Sequence, residues 1–208
     1  MISHKFYLSR KQRFEKRTFD IFFAIFGLFL FWWLILISFL FSTIIHRENG
    51  FFTQTRIGRF AKRFKILKIR TMRSTNSINT SVTTEKDPRI TILGRFLRLS
   101  KIDELPQLIN VLLGEMSFVG PRPDVEGFAD ELKGDDRKIL ELRPGITSQA
   151  SLSYKDEEKI LSQQADPETY NKLVIWPKKI KMNLLYIENY SLLTDIKIII
   201  KTILNIRE

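Results

Sequence analysis

The sequence predicts a mostly helical α+β protein held at a membrane by its N-terminal segment, and three observations carry that prediction. Residues Ile21 to Ile45 are 25 consecutive residues without a charge, whereas about 20 apolar residues suffice to cross a bilayer. The stretch 51–72 alternates in the manner of a β-hairpin, and most of the chain beyond residue 90 places apolar residues at helical spacing. The expected parts are an N-terminal membrane helix, a small β-hairpin and amphipathic helices at the membrane surface. The division is 1–48 for the basic N-terminus with its membrane helix and 49–208 for the remaining domain.

The apolar run is too long for a signal peptide, and no small-residue cleavage site comes after it. Both of its flanks are basic: Lys5, Arg10, Lys11, Arg13, Lys16 and Arg17 lie before it, and Arg47, Arg56, Arg59, Lys62, Arg63 and Lys65 lie after it. Lys and Arg collect on the cytoplasmic side, so a simple span leaves one flank on the wrong side, and a helix that enters and returns is expected instead. A return needs a break. Without a Pro in the run, Gly27 and Ser38 are its weak points. Trp32 and Trp33 lie mid-segment and favour neither form.

Charge is unevenly spread. Residues 1–73 carry 15 Lys and Arg against Glu15, Asp20 and Glu48, a net of +12, while residues 74–208 carry 19 against 20. Basic charge packed around an apolar segment fits an anionic membrane surface, where each nearby cation contributes about 1 kcal/mol. A nucleic-acid partner would need that charge on the soluble part, which is near neutral, so none is expected. The chain has no Cys, which excludes disulfides, thiol nucleophiles and Cys-bound metals. His4 and His46 are its only histidines, so a Ser-His-Asp triad and a His-rich zinc site are not expected. Chemistry then rests on carboxylates, Arg, Lys, Tyr or an oxygen-bound cation.

Along the chain, "FFTQTRIG" and "RFKILKIRTM" read as paired strands, with Gly58 and Arg59 near the turn. Residues Ser74 to Asp87 read as a loop, and Ile90 to Leu99 as a helix. Leu105, Leu108, Ile109, Leu112 and Leu113 have the spacing of an amphipathic helix. "GPRP" ends it, Asp124 to Leu142 reads as polar and mostly helical, and "RPGIT" breaks the chain again. Asp166-Pro167-Glu168 is a helix start. Leu192 to Leu204 forms a helix whose apolar face suits either a core or a bilayer surface.

The pair Asp103-Glu104 stands just before Pro106, where a helix is expected to begin. Helix N-termini attract phosphate. Two carboxylates there suit Mg²⁺, which keeps waters and bridges to substrate phosphates, and an Asp can itself attack phosphorus. Capping is the ordinary alternative, since Ser100-x-x-Asp103 resembles a capping box. Arg122 between two prolines and Arg143 in "RPGIT" are stiffly held phosphate-binding candidates, and Lys68 and Arg70 share one strand face.

"KRTFD", "TQTRIG", "FKILKIRTM", "LRLSKIDELPQLINVLLGEMSFVGPRP" and "LRPGIT" together resemble the bacterial sugar transferase family, the monotopic polyprenyl-phosphate phosphoglycosyl transferases. The resemblance runs from about Lys16 to the C-terminus and is most specific from Ile102 to Pro123. It implies that Asp103 attacks the β-phosphate of a UDP-sugar, releases UMP and carries the phosphosugar until undecaprenyl phosphate takes it. It implies that Glu104 acts as a base or organises Mg²⁺, with Asp103 and Glu104 as the metal-binding pair. It makes Lys68, Arg70, Arg98, Arg122 and Arg143 the substrate-binding residues. It also implies a re-entrant helix in the bacterial cytoplasmic membrane, a catalytic domain on the cytoplasmic face, and a first membrane step in polysaccharide assembly; the sequence leaves a homo-oligomer open.

The chain departs from the family twice. Trp32-Trp33 stand in the neighbourhood where a Ser-Pro break is usual, and "RPGITSQASLSYKDEE" replaces the common Gly-Trp-Ala-Gln continuation. The four extra N-terminal spans of longer members are missing, which suggests the minimal catalytic form. The competing reading is a membrane-anchored scaffold that has lost activity.

Overall fold

The computed structural model describes residues 8–74, 87–204 and 206. The predicted loop after Ser74 falls largely outside them.

Helix α1 (Arg10–His46) runs unbroken for 37 residues, about 55 Å at 1.5 Å per residue. Ser9 starts it with a capping box: its hydroxyl accepts from Gln12 N–H while the Gln12 side chain accepts from Ser9 N–H. It is long and apolar enough to cross a membrane, and only 11% of its most apolar stretch is buried within the protein. The break expected at Gly27 or Ser38 is absent. Gly27 is instead a packing contact, since a Cβ there would meet Leu108 Cδ1 at 3.0 Å, and Ser38 is buried. With no proline in the run, the i→i−4 ladder has nothing to interrupt it.

One stripe of α1 is covered towards both ends of the helix. Lys16, Asp20, Ala24, Ile35, Ser38, Ser42 and His46 are buried, at close to helical repeat. The opposite face exposes Phe22, Phe26, Phe29, Trp33, Leu40 and Ile44. Both ends of α1 touch the same domain: Lys16 pairs with Asp195 near one end, and Ser42 donates to the Arg70 carbonyl near the other.

Strands β1 (Phe51–Ile57) and β2 (Arg63–Ile69) form the predicted hairpin, paired from Phe51↔Ile69 to Ile57↔Arg63. Phe64 and Ile66 point to one core cluster with Ala24, Val111 and Met116, while Ile69 points the other way to Ile35 and Leu97. Leu67, which follows Ile66 as a second apolar residue, fits a strand covered on both faces. Helix α2 (Ile92–Leu99) begins at Thr91, whose hydroxyl accepts from Gly94 N–H. Gly94 lies so close to the hairpin's exit that a Cβ would overlap the Thr71 carbonyl.

A single turn, Ile102–Glu104, leads through Pro106 into α3 (Gln107–Leu113). Strand β3 (Ser117–Val119) pairs in parallel with β4 (Gly145–Thr147). Between them Asp124–Leu142 is mostly helical as predicted, but its helical turns are 3₁₀, Ala129–Glu131 and Gly134–Glu141. Gly127 and Gly134 adopt φ of 88° and 58°, left-handed turns that an α-helix cannot accommodate. Helices α4 (Gln149–Ser153), α5 (Glu157–Ser162), α6 (Pro167–Tyr170), α7 (Trp176–Glu188) and α8 (Leu192–Ile203) complete the chain. Asp166 caps α6 as expected, accepting from Thr169 N–H. Helix α8 buries Asp195 and Ile198 but leaves Leu193, Ile200 and Ile203 exposed, so it serves core and surface together.

Candidate active site

The "KRTFD" segment fixes α1 to the domain. Lys16 donates to Asp195 Oδ2 at 2.6 Å and to the Tyr186 hydroxyl at 3.2 Å, and that hydroxyl donates to Asp195 Oδ1 at 2.5 Å. Arg17 donates to the Val111 and Leu112 carbonyls, closing the C-terminal end of α3. Asp20 accepts from Ser117 Oγ and Phe118 N–H, both at 3.0 Å, and so holds β3. β3 runs directly into "GPRP", so one face of α1 sets the positions of α3 and of Arg122.

Asn110 links α3 to β2. Its amide nitrogen donates to the Lys65 carbonyl and its oxygen accepts from Leu67 N–H at 3.0 Å. That contact aligns Lys68 with the turn carrying the dyad. By strand alternation Lys68 shares the inward face of Phe64 and Ile66. Its Nζ donates to Glu104 Oε1 at 3.0 Å. Arg122 Nη2 lies 3.5 Å from the same oxygen.

The dyad itself comes directly after Lys101, a non-glycine residue at φ 61°. This left-handed residue turns the chain sharply out of α2, a strained conformation of the kind found at functional sites. The capping-box alternative is not realised, because the Ser100 hydroxyl donates to the Phe96 and Leu97 carbonyls instead. Asp103 is buried, and its Oδ1 has no hydrogen-bond partner among the described residues. A buried unpaired oxygen is costly and calls for an explanation in chemistry or in a ligand.

The two carboxyls are driven apart. Burial pushes Asp103 up, and the Glu104 charge adds to this; Lys68, Lys101 and Arg98 pull back without cancelling it. Burial would also raise Glu104, but Lys68 first, then Arg122 and Lys101, hold it well below the usual carboxylate range. Such divergence is the signature of paired groups with separate roles.

The structure brings Lys68, Arg98, Asp103, Glu104 and Arg122 together. Arg98 stands at the end of α2, within electrostatic reach of Asp103. It does not bring Arg143 with them: Arg143 Nε donates to the Gly114 carbonyl at 2.7 Å, beside Arg17, at the far end of α3. Arg70 comes just after β2 on the same face as Lys68, but it is engaged by Glu48 at 3.0 Å and by the Asn49 carbonyl.

Four acidic or basic neighbours escaped the sequence reading. Asp124, directly after "GPRP", has its carboxyl pushed up to about 7 by burial, against Lys179, Arg56 and Arg122. Lys179 of α7 pairs with Glu157 at 2.5 Å, and Glu158 pairs with Arg98 at 2.6 Å. The acidic run in "YKDEE" was the available signal.

Among the described residues no group of three or more His, Asp or Glu side chains forms a metal site. Mg²⁺ does not require one, because it is commonly held by one or two carboxylates with waters and substrate phosphates. The unpaired Asp103 oxygen beside an ionised Glu104 fits that mode.

A buried carboxylate facing a set of cations, on a domain bound to an exposed apolar helix, suits chemistry on phosphate at a membrane. The match to known proteins is specific. The family model described as "Bacterial sugar transferase" covers residues 11–208. A Bacillus subtilis (strain 168) protein provisionally named an undecaprenyl-phosphate N-acetylgalactosaminyl 1-phosphate transferase is 40% identical over 147 residues, covering 65% of this chain and 80% of its own. The exopolysaccharide production protein ExoY of Rhizobium meliloti (strain 1021) is 33% identical, over 90% of this chain and 83% of its own. The UDP-glucose:undecaprenyl-phosphate glucose-1-phosphate transferase of Escherichia coli (strain K12) is 35% identical over 73% of this chain, which spans 31% of that protein. The chain belongs to the bacterial sugar transferase family, and it is a phosphoglycosyl transferase.

Proposed function

We propose that the protein transfers a phosphosugar from a UDP-sugar to undecaprenyl phosphate, or a related polyprenyl phosphate, releasing UMP. The observation that carries this reading is Asp103: buried, with a carboxyl oxygen that makes no hydrogen bond among the described residues, raised in basicity, and facing a set of cations. Such a carboxylate is suited to attack phosphorus. The names of the relatives support the acceptor class.

In the first step an Asp103 oxygen bonds to the β-phosphorus, the bond from that phosphorus to the bridging oxygen breaks, and UMP leaves with the electron pair. In the second, a phosphate oxygen of the lipid bonds to the same phosphorus, and the bond to Asp103 breaks. The product is a polyprenyl-diphospho-sugar, and Asp103 is free again. Lys68, Arg98 and Arg122 counter the diphosphate charge in a preorganised site. Glu104, held ionised by Lys68 and Arg122, is a poor proton acceptor; its role is to orient those cations and, with Asp103, to hold Mg²⁺. When bound, Mg²⁺ would neutralise part of the charge on the diphosphate.

The geometry of α1 supports a one-sided membrane position. Both ends contact the same domain, so both belong on one face of the bilayer, here the cytoplasmic face of a bacterial inner membrane. The apolar stripe enters the lipid. Ile92, Phe96 and Leu99 on α2 and Leu113 on α3, two helices packed on α1, extend the apolar surface. On this reading the dyad works near the height of a lipid phosphate, at a first membrane step of polysaccharide assembly.

UMP release by the purified protein with Mg²⁺ and undecaprenyl phosphate, across a panel of UDP-sugars, tests the reading. Lipid-dependent release, strong with one sugar, is expected. Folded, membrane-inserted protein that releases UMP from none of the donors would favour the inactive scaffold.

A further inference from the structure

The departure of this chain from its family at "SYKDEE" has a physical counterpart in the site. Glu158 Oε1 accepts from Arg98 Nη2 at 2.6 Å. The other terminal nitrogen of Arg98, Nη1, is buried without a hydrogen-bond partner among the described residues, and so is Asp103 Oδ1. A buried donor and a buried acceptor, each unspent and within electrostatic reach of one another, would ordinarily pair. Here they do not.

The surroundings explain why. Asp87, also within reach of Arg98, is taken by Arg89 at 2.6 Å. Glu104 is taken by Lys68 and Arg122. Asp103 is therefore the carboxylate toward which an unrestrained Arg98 would collapse. Glu158 opposes that collapse, and it is itself anchored, because the preceding residue, Glu157, is held by Lys179 of α7. The segment from Tyr154 to Glu158 is thus fastened to α7 on one side and to α2 on the other.

We infer that Glu158 is a positioning residue for the transfer reaction: it holds the Arg98 guanidinium off the Asp103 carboxylate, leaving one arginine nitrogen for a phosphate oxygen and the carboxylate for phosphorus. The inference rests on the proposed function. In a chain without such an acid, Arg98 would have to be restrained by other groups, so the acidic segment is a feature of this chain's own site.

The test measures kcat and KM for the accepted donor in wild type, Glu158→Gln, Glu158→Asp, Arg98→Lys and the Glu158→Gln/Arg98→Lys pair. Glu158 is partly exposed, so its replacement by Gln leaves the fold intact, which circular dichroism and membrane insertion check. Misplacement of a site group commonly costs one to two orders of magnitude. Glu158→Gln is expected to lower kcat by about tenfold or more, with donor KM changed by less than about threefold. Glu158→Asp recovers part of the loss, and in the Arg98→Lys background Glu158→Gln costs little more. A full additional loss in that background overturns the inference, because Glu158 would then act independently of Arg98. A lowered KM at unchanged kcat overturns it too, since Glu158 would then be competing with the donor, as does a variant indistinguishable from wild type. Wild-type protein that releases no UMP with any donor is a different failure: it removes the proposed reaction and the inference with it.

Discussion

The two carboxylates of the dyad differ because their neighbours do. Lys68 and Arg122 both converge on Glu104 Oε1, while the Asp103 carboxyl has an oxygen with no such partner. Asp103 thereby combines burial with a raised affinity for protons, and a more basic carboxylate is a better nucleophile. This fixes the sign of the pH effect. An ordinary Asp loses its charge near pH 3.9; Asp103, shifted upward, is protonated and inactive at higher pH than that, while Glu104 stays ionised. Initial rates should therefore fall on acidification well before pH 4, with one acidic limb. A rate that holds down to about pH 4 would contradict the shift.

At this scale strand parity put Lys68 on one face with Arg70, and the structure sets its Nζ on Glu104. The place of Arg143 was not legible. Its stiff "RPGIT" setting looked like a phosphate site, yet a carbonyl at the end of α3 takes its Nε. Glu158 could not be assigned either, because its partner lies 60 residues away in sequence.

Among the elements, α1 does more than anchor. Lys16, Tyr186 and Asp195 form a buried network joining α1, α7 and α8. Lys16 and Asp195 side chains are 8% and 2% exposed, so neither charge can turn to water. Removing one partner strands the other, at a cost of about 3–5 kcal/mol. Asp195→Ala should therefore lower the denaturation midpoint in detergent markedly, and Lys16→Met/Asp195→Leu together should recover much of it. Equal stability of wild type and Asp195→Ala would show that the network holds nothing.

The hairpin, α2, α3 and α8 were legible from periodicity, because each has an apolar face that must be covered. The segment Asp124–Leu142 was legible as helical but not in kind, because Gly127 and Gly134 turn the chain at left-handed positions and its helical turns are 3₁₀. The course of α1 was half legible: the basic flanks argued for both ends on one side of a membrane, whereas the break expected for a return is absent and the helix runs unbroken, in contact with the domain near both ends.

For the molecule as a whole, the contacts at both ends of α1, Lys16 with Asp195 and Ser42 with the Arg70 carbonyl, bear on the proposed one-sided membrane position. Single Cys residues introduced at Ser9 and at Asn49, in a chain with no native Cys, should both be shielded from an impermeant maleimide in intact cells and both react once the cytoplasmic face is opened. Reaction of one position from outside would place the two ends on opposite sides.

The central claim is that Asp103 carries the phosphosugar. The most direct measurement is to incubate the protein with its UDP-sugar donor, labelled with ³²P at the β-phosphate, in the absence of lipid acceptor, and to locate the label by peptide mapping. The account predicts label on the peptide containing Asp103, discharged by added undecaprenyl phosphate and absent from Asp103→Asn, which should still fold and bind membrane. Undiminished labelling or transfer by Asp103→Asn would contradict it.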